Sequence, residues 1–366
     1  MNQMSRLIVE KENLIYNFKK VSEVADSPVI PVLKANGYGL GDIALAELFT
    51  ELGVKLFAVA RTDEAKGLCE RFPDAELLLL SPCYYPERVK EIVACSITAT
   101  VDSREAAQLL NTAAKEAGKQ AKAHIKIDTG FGRFGFLPDE TETIIETIHA
   151  AENIEFSGIY SHFSAAFAKT DKLVEIQHER FAGAFEGLKQ SAIEIPFVHL
   201  ANSSAALRFP DTHYSGCRCG SALIGRLAME NRWGLKKCGY LESDIDEIRT
   251  LPAGHNVGYG NTYKTKQETK IAVLQLGTTD GVFLSKIHDT FSLNSKLRNI
   301  AKDTLSYFSK KGNFATINGK NARIIGRLNT TNIILDVTDI DCIVGDPVRF
   351  EVNPLFVDSS VERVYR

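Results

Sequence analysis

Between Val29 and Ala222, short runs of apolar and β-branched residues alternate with polar-faced stretches long enough for helices. The runs begin near Val29, Leu56, Glu76, Thr98, Ala123, Phe156, Phe197 and Cys217. Runs of this length read as buried strands, and the stretches between them carry helical spacing; Ser103 stands as an N-cap before Arg104-Glu105-Ala106-Ala107-Gln108-Leu109-Leu110. Strand and helix in alternation make parallel βα units, and eight of them predict a closed barrel. An open doubly wound sheet is the alternative, and it lacks support because no Gly-x-Gly-x-x-Gly follows the first run. Beyond Trp233 the texture changes to β-rich runs, Lys270 to Leu276, Ala322 to Gly326, Asn332 to Asp336 and Val348 to Val352, punctuated by Gly, Asn, Asp and Pro. The lysine-rich stretch from Ser285 to Lys311 reads as a surface excursion of helix and loop. The expected fold is therefore α/β, a (β/α)8 barrel over residues 1–233 followed by an all-β domain over residues 234–366.

Length agrees with two domains, since 366 residues exceed the roughly 250 of a typical barrel. With 44% apolar and 24% charged residues the chain has the composition of a soluble globular protein, and its net charge of -3 points to neither a nucleic-acid nor a membrane partner. Seven cysteines form an odd set without metal-type spacing, so no metal is expected and the thiols read as reduced. No apolar stretch approaches the roughly 18 residues of a membrane span, and a cytoplasmic location is expected.

In parallel barrels the working groups gather at the C-terminal ends of the strands. The first run ends in Lys34-Ala35-Asn36-Gly37-Tyr38-Gly39. Burial would drive such a lysine toward the neutral amine, the form that condenses with an aldehyde cofactor. The fifth, His124-Ile125-Lys126-Ile127-Asp128, runs into Thr129-Gly130-Phe131-Gly132-Arg133. The sixth ends at His162, the seventh at His199 with Ala201-Asn202-Ser203, and the eighth presents Arg218 ahead of Gly220-Ser221. Taken singly, each has a bland reading: Lys34 a rim lysine, Ser203 a helix cap, His199 a core histidine, Arg133 a surface arginine in a glycine-rich loop.

With Val257-Gly258-Tyr259-Gly260-Asn261-Thr262-Tyr263 added, these segments stand in the order found in the alanine racemase family, which the chain resembles over nearly its whole length. The resemblance implies an enzyme dependent on pyridoxal 5'-phosphate (PLP) that racemises an amino acid. It implies that Lys34 anchors the cofactor and is one of two bases, and that Tyr259, supplied across a homodimer interface, is the other. Two are needed because the α-hydrogen leaves one face and returns on the opposite one. By the same resemblance Arg218 meets the pyridine nitrogen, Tyr38, Ser203, Gly220 and Ser221 hold the phosphate, and His162 and His199 support the cofactor. Arg133 and the Thr330 amide meet the substrate carboxylate, and Lys126 aligns with a lysine often carbamylated.

Four positions depart from the family pattern: Leu40 for a histidine, Thr278 for a tyrosine, Thr330-Thr331 for Met-Asp, and Pro354 for a phosphate-contacting tyrosine. The resemblance ties strict alanine preference to tyrosines crowding the methyl group, so the departures imply tolerance of a larger or more polar side chain such as that of serine. The rival functions are an amino-acid decarboxylase, for which Cys238 and Cys342 would be the candidate cysteines, and a non-catalytic PLP-binding protein.

Overall fold

The structure, a computed structural model, describes residues 5–284, 293–308 and 314–366. The chain opens with strand β1 (Ser5–Val9) and continues into eight short parallel strands: β2 (Val29–Pro31), β3 (Leu56–Val59), β4 (Glu76–Leu79), β5 (Ala99–Val101), β6 (Ala121–Lys126), β7 (Ile154–Tyr160), β8 (Phe197–His199) and β9 (Cys217–Cys219). Ladders join β2 to β9, β3 to β4, and β5 through β8. Single bridges from Val32 to Ala58, Leu78 to Thr98 and Asn202 to Arg218 link these ladders and close the ring. The result is the eight-unit barrel that the hydrophobic pattern predicts, each strand starting within two residues of the expected position.

Strands enclosed on both faces need apolar residues at successive positions. Ile30, Val32, Ala58 and Leu78 accordingly form one buried cluster, with Leu56, Leu80 and Phe197 packed against it. The helices turn one face inward; Leu14, Asn17, Val21 and Ala25 recur at helical spacing on the buried side of Lys11–Ala25. Ser103 caps its helix as expected, its Oγ accepting the Ala106 N–H at 3.1 Å.

The second unit contains β10 (Gly239–Asp244), β11 (Glu247–Leu251), β12 (Asn256–Val257), β13 (Tyr263–Lys264), β14 (Thr269–Leu274), β15 (Phe314–Ile317), β16 (Lys320–Ile324), β17 (Ile333–Asp336), β18 (Pro347–Phe350) and β19 (Glu362–Tyr365). Nine strands form one sheet in the order β11-β14-β17-β16-β15-β18-β10-β1-β19. β1 pairs antiparallel with β10 and parallel with β19, so the N-terminal strand belongs here. The compact units are therefore Lys11–Cys238 on one side, and residues up to Glu10 with Gly239–Arg366 on the other. This corrects the single cut at 233: backbone pairing, invisible to local pattern, assigns β1 to the β unit. Of the expected excursion, Leu293–Phe308 is a helix, while 285–292 and 309–311 lie outside the described residues. Among the described residues no helix is long and apolar enough to cross a membrane.

Candidate active site

The β2 strand ends where the Leu33 N–H donates to Ala58 O at 2.8 Å. The chain then turns left-handed through Ala35 (φ 55°), Asn36 (φ 53°), Gly37 (φ 60°) and Tyr38 (φ 56°). Each non-glycine residue in that region costs about 1–2 kcal/mol, so the turn persists only because its surroundings hold it. Glu64 accepts the Ala35 N–H at 2.6 Å, Asn36 Oδ1 accepts the Asp42 N–H at 3.1 Å, and a Cβ on Gly37 would crowd Leu45. Lys34 precedes this turn at the barrel mouth. Its side chain is exposed, which corrects the expectation of burial. Nζ lies 5.9 Å from the centre of the Tyr38 ring.

Tyr38 reaches across the mouth to the end of β9. A Cβ on Gly220 would overlap the Tyr38 ring and hydroxyl, so this glycine makes room for the phenol. Burial pushes the Tyr38 hydroxyl up to about 12, leaving it a hydrogen-bond donor. Ser203 is buried in the first turn of Ser203–Arg208, whose N-cap is Asn202, accepting from the Ser204 and Ala205 N–H groups. Ser203 Oγ accepts the N–H groups of Gly220 at 3.0 Å and Ala222 at 3.2 Å, which ties the seventh and eighth strand ends together. Its own hydrogen remains to be given, to Cys219 or to an incoming anion. Ser221 follows on the same turn, where its carbonyl accepts the Arg226 N–H at 2.8 Å.

Arg218 is 3% exposed and has only neutral partners. One terminal nitrogen donates to His199 Nδ1 at 2.6 Å and His199 O at 2.9 Å; the other donates to Ser161 O at 2.5 Å and Leu200 O at 3.1 Å. Its centre lies 5.0 Å from the Tyr160 ring. Burial lowers this guanidinium to about 10, still charged at neutral pH. A buried cation held by carbonyls rather than a carboxylate costs stability, and such arrangements mark sites where an electron-rich ligand is received.

Lys126, at the end of β6, is also buried, its Nζ 4.5 Å above the Tyr160 ring. Burial first, then the charges of Arg218 and Arg133, bring it down to about 7. Arg133 is exposed on the following loop with its guanidinium 4.5 Å over Phe131. That loop is organised by Asp128, whose carboxylate accepts the N–H groups of Gly130, Phe131, Gly132 and Arg133. Burial opposes the Asp128 charge, but these four donors outweigh it and its pKa falls. His162 is half-buried at the next strand end, held neutral by burial and by Arg218, Lys126, Lys34 and Arg133, in that order.

Tyr259 and Thr330 belong to the β unit. Tyr259, 67% exposed, sits in a tight turn between Gly258 (φ 74°) and Gly260 (φ 71°). The turn rests on a core of Leu251, Val257, Ile271 and Ile325, and a Cβ on Gly258 would crowd the Arg327 backbone. Thr330 is exposed, and its N–H donates to Asn329 Oδ1 at 2.7 Å, so the amide expected to face substrate has a partner within its own loop. The Thr278 and Thr279 N–H groups donate to Asn329 O and Thr330 O at 3.1 Å, zipping two of the family departures together. Leu40, another departure, is fully buried. Cys238 is buried in the barrel unit rather than the β domain, and Cys342 is buried as well.

Sequence reasoning missed His124 and Tyr160. His124 lies two positions before Lys126 on β6, hence on the same face of the strand, and this alternation was the available signal. Tyr160 stacks on His199 with ring centres 4.7 Å apart and planes at 10°, and its hydroxyl bonds Thr100 Oγ1 at 2.7 Å and Leu80 O at 3.0 Å.

A closed barrel whose strand ends gather two lysines, two arginines and two histidines, on a chain that also carries a β domain, defines a small-molecule enzyme of the two-domain barrel class. Residues 9–227 match the description "Alanine racemase, N-terminal domain" and residues 239–353 match "Alanine racemase, C-terminal domain". The alanine racemase of Carboxydothermus hydrogenoformans is 36% identical over 280 residues, covering 75% of this chain and 76% of that protein. That of Methanococcus maripaludis is 32% identical over 340 residues, covering 91% and 84%. Among solved structures, alanine racemase from Clostridium difficile 630 matches with a TM-score of 0.87 at 26% identity, covering 100% of this chain and 96% of its own. The chain belongs to the alanine racemase family and is an amino-acid racemase.

Proposed function

We propose that this chain is a cytoplasmic, PLP-dependent racemase of alanine or a related small amino acid such as serine, acting as a homodimer with shared sites. The observation that carries this reading is the gathering of Arg218, Lys126, Lys34 and Arg133, basic groups from three strand ends, around the His162 imidazole. The residues fit the cofactor: Gly220 gives way to the Tyr38 phenol, Ser203 has a hydrogen to give, and the buried Arg218 lacks a carboxylate partner.

When bound, PLP supplies an electron sink that acidifies the substrate α-hydrogen. Lys34 would hold the cofactor's aldehyde carbon and exchange a proton on one face; the partner subunit's Tyr259 would do so on the other. Both terminal nitrogens of Arg218 are already engaged, so its Nε–H would be the donor to the pyridine nitrogen. A guanidinium does not readily surrender its proton, so Arg218 would leave the ring nitrogen unprotonated and the sink weak, which would disfavour transamination. Tyr38, Ser203 and the turn at Gly220-Ser221 would receive the phosphate, and Arg133 the substrate carboxylate. Thr330 would contribute its amide only by releasing Asn329.

Lys126 carries a second part of the proposal. An amine near pKa 7 is largely neutral at physiological pH and can take up carbon dioxide, and the resulting carbamate would answer the charges of Arg133 and Arg218. The rival decarboxylase gains no support from Cys238 or Cys342, both buried. The test is deuterium entry at Cα when the PLP-loaded protein meets L-alanine or L-serine in heavy water. Exchange with both is expected, as is its loss in Lys34→Ala; a cofactor-loaded protein that exchanges no amino acid overturns the enzyme reading in favour of a carrier.

A further inference from the structure

We propose that His124 is a positioning residue: its Nδ1 lone pair fixes the tautomer of His199 and, through it, the Arg218 guanidinium. The proposal rests on the reading that Arg218 meets the cofactor's ring nitrogen.

The hydrogen-bond chain has one consistent solution. Arginine has donors and no acceptor, so the 2.6 Å contact from Arg218 requires a lone pair on His199 Nδ1. Burial first, and then the Arg218 charge, hold both imidazoles neutral, His124 falling to about 3. A neutral His199 with a bare Nδ1 carries its hydrogen on Nε2, and Nε2 lies 2.8 Å from His124 Nδ1. His124 therefore accepts there and carries its own hydrogen on Nε2. With the opposite tautomer at His199, two N–H donors would face each other across 2.6 Å.

The backbone is shaped around this ring. The β6–β7 pairing slips at His124: Ala123 faces Phe156, whereas His124 faces Gly158, so Ser157 is an extra residue on β7. Bulges re-aim side chains beside functional sites. At Gly158 any Cβ would overlap the His124 imidazole, so the bulge and the glycine together admit the ring. Phe197 covers it at 5.8 Å between centres, and Tyr160 holds His199 by stacking. The His124 ring is thus clamped, with Nδ1 held at the position where it receives the His199 hydrogen.

Nitrogen NMR of protein labelled at histidine reads the ring tautomers without cofactor. Wild-type His199 is expected as a single Nε2–H tautomer, and His124→Leu is expected to add an Nδ1–H population. His124→Asn places an amide oxygen near the lost lone pair and should restore the wild-type pattern. In the loaded enzyme, the fraction of turnovers ending in keto acid rather than racemised amino acid should rise about tenfold in His124→Leu and return in His124→Asn, the scale of one charge-assisted hydrogen bond. Wild-type His199 found as Nδ1–H, or a folded His124→Leu with an unchanged tautomer, overturns the proposal. A tautomer change with an unaltered product ratio instead overturns the pairing of Arg218 with the ring nitrogen.

Discussion

Lys126 is a barrel-interior amine beside two guanidinium groups, and its titration is a stability term as well as a chemical one. Its pKa is about 7 in the folded chain against the 10.5 of a freely solvated lysine. Below pH 7 the amine is charged in both folded and unfolded states, and the folded state bears the full burial penalty. Between 7 and 10.5 the unfolded chain binds more protons, so stability rises with pH through that window. In carbon-dioxide-free buffer, the gain over those pH values should be of order 5 kcal/mol and should vanish in Lys126→Met, as measured by denaturant unfolding. With labelled bicarbonate, a carbamate carbon resonance should appear in the wild type and be missing from that variant. At this scale the sequence located the residues that close strands, as at Lys34, His162, His199 and Arg218. His124 stayed hidden because its role comes from a contact with His199, 75 positions away on another strand.

The left-handed turn after Lys34 is the element on which the site's geometry turns. Three of its four residues, Ala35, Asn36 and Tyr38, carry side chains at positive φ. Ala35→Gly should remove a local cost of about 1 kcal/mol, so thermal unfolding should show an equal or more stable protein. The same change frees the backbone beside Lys34 and should lower kcat by several-fold; a faster enzyme would show that the strained turn does not serve turnover. Sequence patterning read the lysine motif but not the handedness of its turn, since neither Ala35 nor Tyr38 signals that region and its support comes from distant contacts with Glu64, Asp42 and Leu45. In the β unit, the hairpin joining β15 to β16 was open to reading: Asn318 and Gly319 both take positive φ, as an Asn-Gly turn between two strands requires. The strand before it, Phe314–Ile317, was not among the runs read from the sequence, since it falls between the excursion that ends at Lys311 and the run that begins at Ala322.

Across the whole molecule, the eight barrel strands were legible because parallel strands are apolar at successive positions and their spacing is regular. The membership of β1 was not, because its five residues would suit either sheet and only pairing with β10 and β19 decides. The proposed homodimer, with Lys34 from one subunit and Tyr259 from the other in each site, has a consequence that no single-chain mechanism shares. Lys34→Ala and Tyr259→Phe dimers should each be nearly inactive. After the two are unfolded and refolded together in equal amounts, half the dimers are hybrids, and each hybrid has one site with both bases intact. Racemisation of L-alanine in the mixture should therefore recover to about a quarter of the wild-type rate, whereas a mixture no more active than its parents, with hybrids present by mass, would contradict a site shared between subunits.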